Sequence, residues 1–240
     1  NYLKPVYRSI NVDKPKILWW CESSRKTATG VKIVEKKIDW IASKFGRTYI
    51  LFWHSTCDIT NKQGKCIYQN YKWTEELIAE QTENFNKLLE LNDKHRNVKI
   101  GILETPPVFT KQWNRSRGSD FAEEIDDGPI HEQVKQLNCL IRMFNDKLGF
   151  CAPKFECDFI HSRRKAKNSK HVSNETRYRF TSLLLADGVH PINIVAKKWI
   201  IKILHLFLFE ASEGVSVGHQ HCPTTVSRAE TTHSFLKSVE

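Results

Sequence analysis

The feature that most constrains this chain is the alternation of short apolar runs with amphipathic stretches of about 15 residues. Lys16–Trp20 (KILWW), Thr48–Trp53 (TYILFW) and Val98–Leu103 (VKIGIL) have strand length and are rich in aliphatic and aromatic residues. Val31, Val34, Ile38, Ile41, Ala42 and Phe45 recur at helical spacing with lysines opposite, and Gly46 stops the pattern. A second such stretch covers 73–91 and carries Leu77, Ile78, Phe85, Leu88 and Leu89. A third covers 130–148, with Val134, Leu137, Leu140, Ile141 and Phe144 on one side and Gly149 at its end. Phe155–Ile160 reads as a fourth strand, and 191–209 as a last helix with Pro191 in its first turn. Strands separated by helices of this length pair in parallel, with helices on both faces of the sheet. Residues 24–30 read as a loop and 105–129 as a long polar loop. Residues 1–15 form an extension, 16–210 one α/β domain, and 211–240, rich in Ser, Thr, Gly and His, a tail of low order.

Of the 240 residues, 40% are hydrophobic, enough for one sizeable core. No run reaches the roughly 20 apolar residues of a membrane span, and the longest, 199–209, is interrupted by Lys202 and His205. Asn1-Tyr2-Leu3-Lys4-Pro5 has neither an initiator Met nor a signal-peptide pattern, which leaves open that the chain is a fragment. The seven cysteines are odd in number and lack a CxxC pair, so free thiols in an intracellular, reducing compartment are the expectation, and no metal or cofactor is implied. Trp19, Trp20, Trp40, Trp53 and Trp199 read as core, His205 as structural, and His219, His221 and Cys222 as a cluster without a scaffold.

In an open parallel sheet, ligands gather beyond the carboxyl ends of the strands. Three loops fall there: Cys21–Thr27, His54–Asp58, and Glu104–Pro107 with the following Trp113-Asn114-Arg115. Asp187-Gly188-Val189-His190 precedes the last helix and brings an imidazole to the same rim. A carboxylate three residues before a histidine, in a turn entering a helix, can accept the Nδ1–H bond, fix the tautomer and leave Nε2 as general base. The alternative is that Asp187 only caps the helix. Arg25 and Lys26 could hold an anion where the helix over 31–45 begins.

In order, these blocks resemble the SGNH/GDSL hydrolase superfamily. Thr48–Trp53 followed by Ser55-Thr56-Cys57-Asp58 is similar to its third block, and Asp187-x-x-His190 to its fifth. WHSTCDIT (53–60), LETPPVFTKQWNRSRG (103–118), FECDFIHSRRK (155–165) and ADGVHP (186–191) are similar to uncharacterised SGNH-like proteins of invertebrate genomes, some associated with mobile elements. The resemblance covers roughly residues 16–208. It implies a three-layer α/β/α, flavodoxin-like parallel sheet of about four to five strands. It further implies a serine ester hydrolase with His190 and Asp187 as base and acid, a small ester substrate and no cofactor.

The departures bear on activity. Only 24 residues separate Ser23 from Thr48, room for one helix and no further strand. Residues 23–30 (SSRKTATG) therefore fit the family's second block, which leaves its first strand and nucleophile outside this chain. The other reading keeps Ser23 as nucleophile. Ser24 falls at the second-block glycine, Ser55 at the third-block glycine, and Cys57 at the oxyanion-hole Asn, where a thiol is a poor donor. Asp58 is left to order the loop. The site is therefore expected to be degenerate or incomplete.

The formal net charge is +10, and seven Lys or Arg fall within 161–179, among them Arg163, Arg164, Lys165, Lys167 and Lys170. Such a run suits phosphate contacts. The competing expectation is accordingly a non-catalytic module that binds nucleic acid in a mobile-element-derived protein. A phosphorylated small molecule is disfavoured by the lack of a Gly-rich phosphate loop. The oligomeric state is open.

Overall fold

The computed structural model describes residues 17–20, 24–70, 74–161 and 179–212, without the side chains of 160, 161, 179, 180 and 207–212. The elements run α1 (Thr27–Lys44), β1 (Thr48–Phe52), α2 (Thr56–Ile59), β2 (Thr60–Gln63), β3 (Cys66–Gln69), α3 (Thr74–Lys94) and β4 (Val98–Ile102). They continue with α4 (Thr110–Ser116), a 3-10 turn (Ala122–Glu124), α5 (Gly128–Lys147), a second 3-10 turn (Glu156–Phe159), β5 (Ile160–His161), β6 (Arg179–Phe180) and α6 (Asn193–Ser212). One compact unit reaches Leu206; the second begins at Phe207, and of it only the helical backbone to Ser212 is described.

β1 and β4 pair in parallel, Thr48 beside Val98 through Phe52 beside Ile102. Alternation along the strands divides their side chains between two clusters. Ile50, Phe52, Val98, Ile100 and Ile102 join the buried faces of α1, α3 and α5, including Val34, Ile38, Phe85, Val134 and Ile141. Leu103 and Trp53 join Phe155, Phe159, Leu185 and Trp199. Trp199 is fully buried, stacks 4.8 Å from Phe155, and donates from Nε1 to Asp158 Oδ2 at 3.0 Å. The chain is thus a mixed α/β fold with a small parallel sheet.

Among the described residues the parallel sheet has two strands, and side chains engage backbone groups on the outer side of β4. Asn145 of α5 accepts from Ile102 N at 2.9 Å and donates to Ile102 O at 2.7 Å. One heptad earlier, Asn138 makes the same two-point contact with Thr105 N (2.8 Å) and O (2.9 Å). Asn92 of α3 accepts from Ile100 N at 3.0 Å. Side-chain amides from two helices therefore satisfy backbone groups that a neighbouring strand would otherwise engage. The expected strand at 155–160 is displaced. Glu156–Phe159 is a 3-10 turn, and only Ile160–His161 extend, paired antiparallel with Arg179–Phe180.

Other expectations also shift. Among the described residues, Ile17–Trp20 pairs with no strand; Lys37 lies 4.9 Å over the Trp20 ring, and Trp20 O accepts from Arg25 Nη1 at 3.5 Å. Thr27–Gly30 belong to α1 rather than to a loop. The stretch 105–129 holds α4 and a 3-10 turn, because Asp127 Oδ1 accepts from Thr110 N (2.8 Å) and Oγ1, capping α4 from 17 residues away. Trp40 is not core but 47% exposed, covered in part by Lys44 and Phe45. His205 is exposed on α6.

Candidate functional site

Asp187 is the hub of the turn that enters α6. Its Oδ1 accepts from Val189 N at 3.1 Å and His190 N at 2.9 Å, and its Oδ2 lies 2.9 Å from His190 Nδ1. Two backbone donors fix the carboxylate, and the carboxylate fixes the ring. The turn is closed behind by Ala186 N donating to His190 O at 2.7 Å. Burial raises the Asp187 pKa, but the bonds from the His190 ring and the two backbone N–H groups outweigh it, so it lies below the ordinary carboxylate value. The carboxylate is held ionised, the form that orients an imidazole and stabilises its cation.

Gly188 permits this turn. Its φ is +91°, and a Cβ there would meet Phe109 O at 2.4 Å. Its carbonyl accepts from Phe109 N at 2.8 Å, tying the turn to the start of α4. α4 then places Trp113 with its ring centroid 5.7 Å from that of His190. Arg117 stands 4.5 Å over Trp113, with Nη2 3.9 Å from Asp187 Oδ2. Trp113 falls in the third rim segment named from sequence, whereas Arg117 was not singled out; its i,i+4 spacing from Trp113 was the available signal.

α4 is itself anchored. Asn114, fully buried, accepts from Ile67 N and donates to Ile67 O, both at 2.8 Å. Trp113 Nε1 donates to Lys65 O at 2.9 Å. The hairpin β2–β3 thus links α4 to α2, since Asn70 donates to Asp58 O and Ile59 O.

In α2 the Asp58 carboxylate, 4% exposed, accepts from Thr27 Oγ1 at 2.7 Å and Thr27 N at 3.1 Å. It caps α1 from 31 residues away. Burial pushes the Asp58 pKa up, opposed by the Thr27 bonds. Burial, and then the Asp58 charge, also push the Cys57 thiol up, away from a nucleophilic thiolate. Ser24 and Ser55, at the positions matched to family glycines, are the two described non-glycine residues with positive φ, +60° and +88°. Such backbone costs on the order of 1–3 kcal/mol per residue and is concentrated at functional sites. His54 stacks on Phe52 at 4.4 Å, and a Cβ on Gly30 would strike its ring at 2.8 Å. Burial lowers its pKa, which leaves it neutral.

Glu104, at the end of β4, turns away to a buried lock. Arg142 donates to Glu104 Oε1 at 2.8 Å and to Glu156 Oε2 at 2.5 Å, and Glu156 N donates to Glu104 Oε2 at 3.0 Å. Arg115 pairs with Glu123. Both are structural.

The structure therefore brings Asp187 and His190 together, and places Ser24 just before α1 and Ser55, Cys57 and Asp58 at the start of and within α2, which the Asp58–Thr27 bonds join to α1. Ser23 and the basic residues Arg163, Arg164, Lys165, Lys167 and Lys170 lie outside the described residues. Among the described residues no group of three or more His, Cys, Asp or Glu could hold a metal, five cysteines are free, and no helix is long and apolar enough to cross a membrane. No family model matches the chain, and no curated protein matches it.

Proposed function

We propose that the chain is an SGNH-like domain with a residual ester- or acyl-hydrolase site built on Asp187 and His190. The carrying observation is the carboxylate–imidazole contact at 2.9 Å, with the same carboxylate pinned by two backbone N–H groups. That arrangement fixes the tautomer in which Nε2 accepts a proton from an attacking hydroxyl and passes it to the leaving group. In this reading Ser23 is the hydroxyl supplied by the chain, and Ser55 and Ser24 carry the loops that face the oxyanion. Cys57 is a weak donor, so turnover is slow. The three-layer, flavodoxin-like arrangement with four to five strands belongs to the same proposal. It is supported by the parallel β1–β4 pair and by the two apolar clusters that its side chains enter.

Hydrolysis of a short-chain aryl ester tests the reading. His190→Ala is expected to lower kcat by about a hundredfold or more. Wild type and variant equally inert would refute it.

A second reading, nucleic-acid binding without catalysis, is favoured by the +10 charge and the basic run 161–179. It predicts salt-dependent RNA or DNA binding that weakens when Arg163, Arg164 and Lys165 are neutralised. Binding indifferent to salt counts against it.

A further inference from the structure

We propose that Arg117, stacked on Trp113, is a specificity residue that selects esters carrying a carboxylate about the width of a benzene ring from the ester oxygen. This rests on the reading of His190 as the base and deepens it by naming a substrate class.

Three observations converge. First, α4 and its immediate C-terminal residue carry three cations, and two are neutralised elsewhere. Lys111 Nζ lies 3.0 Å from Glu123 Oε2, and Arg115 Nε donates to Glu123 Oε1 at 2.8 Å. Arg117 is directed instead to the Asp187–His190 turn. Its carboxylate neighbour there, Asp187 Oδ2, is at 3.9 Å, the outer limit of an ion pair, and that oxygen already lies 2.9 Å from His190 Nδ1. A guanidinium has five N–H donors in a planar fork suited to a carboxylate, so this contact leaves most of its capacity for a ligand.

Second, the guanidinium is held for the task. It stacks 4.5 Å over Trp113. The indole is in turn fixed by its bond to Lys65 O at 2.9 Å and by the neighbouring Asn114, clamped to both backbone groups of Ile67. A stacked, anchored guanidinium loses less freedom on binding than a solvated one.

Third, the cation stands beside the base and not across the domain. Guanidinium and imidazole flank one carboxylate oxygen, and the Trp113 ring is near both.

The test uses the full chain with 4-acetoxybenzoate and its neutral counterpart, methyl 4-acetoxybenzoate, in which the charge sits across a benzene ring from the ester. Wild type is expected to favour the carboxylate by about tenfold in kcat/KM. Arg117→Ala should bring that ratio to about one, and Arg117→Lys should retain part of it. A merely structural Arg117, acting through Asp187, would lower both rates and leave the ratio unchanged, which overturns the proposal.

Calorimetric binding of the products, 4-hydroxybenzoate and methyl 4-hydroxybenzoate, separates the subsite from the chemistry. If neither ester is hydrolysed but 4-hydroxybenzoate binds wild type and not Arg117→Ala, the subsite stands and the hydrolase reading falls. If both esters turn over with equal kcat/KM, the subsite falls and the hydrolase reading stands. Binding of neither product, or equal binding of both, also overturns the subsite.

Discussion

Gly188→Ala puts the functional turn under a defined load. At φ +91° an L-residue is disfavoured, at about 1–2 kcal/mol. The added Cβ would lie 2.4 Å from Phe109 O and 2.9 Å from Trp113 N, backbone atoms that cannot rotate away. Relief requires the turn to withdraw from α4, which breaks the 2.8 Å bond from Phe109 N to Gly188 O, worth about 1 kcal/mol. The lower entropy of the unfolded Ala chain returns about 0.4–1 kcal/mol. The net expectation is a loss of about 1–3 kcal/mol, read as a lower midpoint in urea at unchanged slope. Gly64→Ala is the control, because its φ is +59° and a Cβ there meets nothing within 4 Å. It should cost only the conformational part, about 1 kcal/mol. Equal losses at the two positions would refute the argument that the turn is wedged against α4. A larger loss at Gly188 than at Gly64, accompanied by a shift of the His190 ring resonances, would support it.

Asn145→Leu strands the N–H and C=O of Ile102 at a buried position, and should destabilise by about 2–5 kcal/mol in chemical denaturation; an unchanged midpoint would show that the amide does not close the sheet edge. Stability should also fall as pH drops from about 7 to 5.5. Burial holds the His54 and His131 pKa values below the ordinary imidazole value, so the unfolded chain binds more protons in that window. Asp58 and Glu156, whose pKa values burial raises, act with the opposite sign lower down. The measurement is therefore the difference between wild type and His54→Gln with His131→Gln, where the flatter curve is expected in the double variant. Identical curves would sink the assignment.

What the sequence determined by itself is what depends on near neighbours. The faces of α1, α3 and α5 follow from 3.6-residue spacing: Val31, Val34, Ile38 and Ile41 are buried as their period requires. The Asp187–His190 contact spans three residues in one turn, so its geometry is local and could be read before any fold was known.

What only the tertiary structure decided involves partners tens of residues apart. Asn138 and Asn145 are polar residues on the buried side of α5, and nothing nearby in sequence says that they meet the backbone of Thr105 and Ile102. The 3-10 turn at Glu156–Phe159, where Phe155–Ile160 reads as a strand, is also not visible in local spacing. Asp58 capping Thr27, and Trp113 and Arg117 arriving beside His190, likewise depend on how separate elements pack. Spacing along the chain thus placed an acid beside an imidazole, while packing supplied the aromatic and the cation that stand next to them.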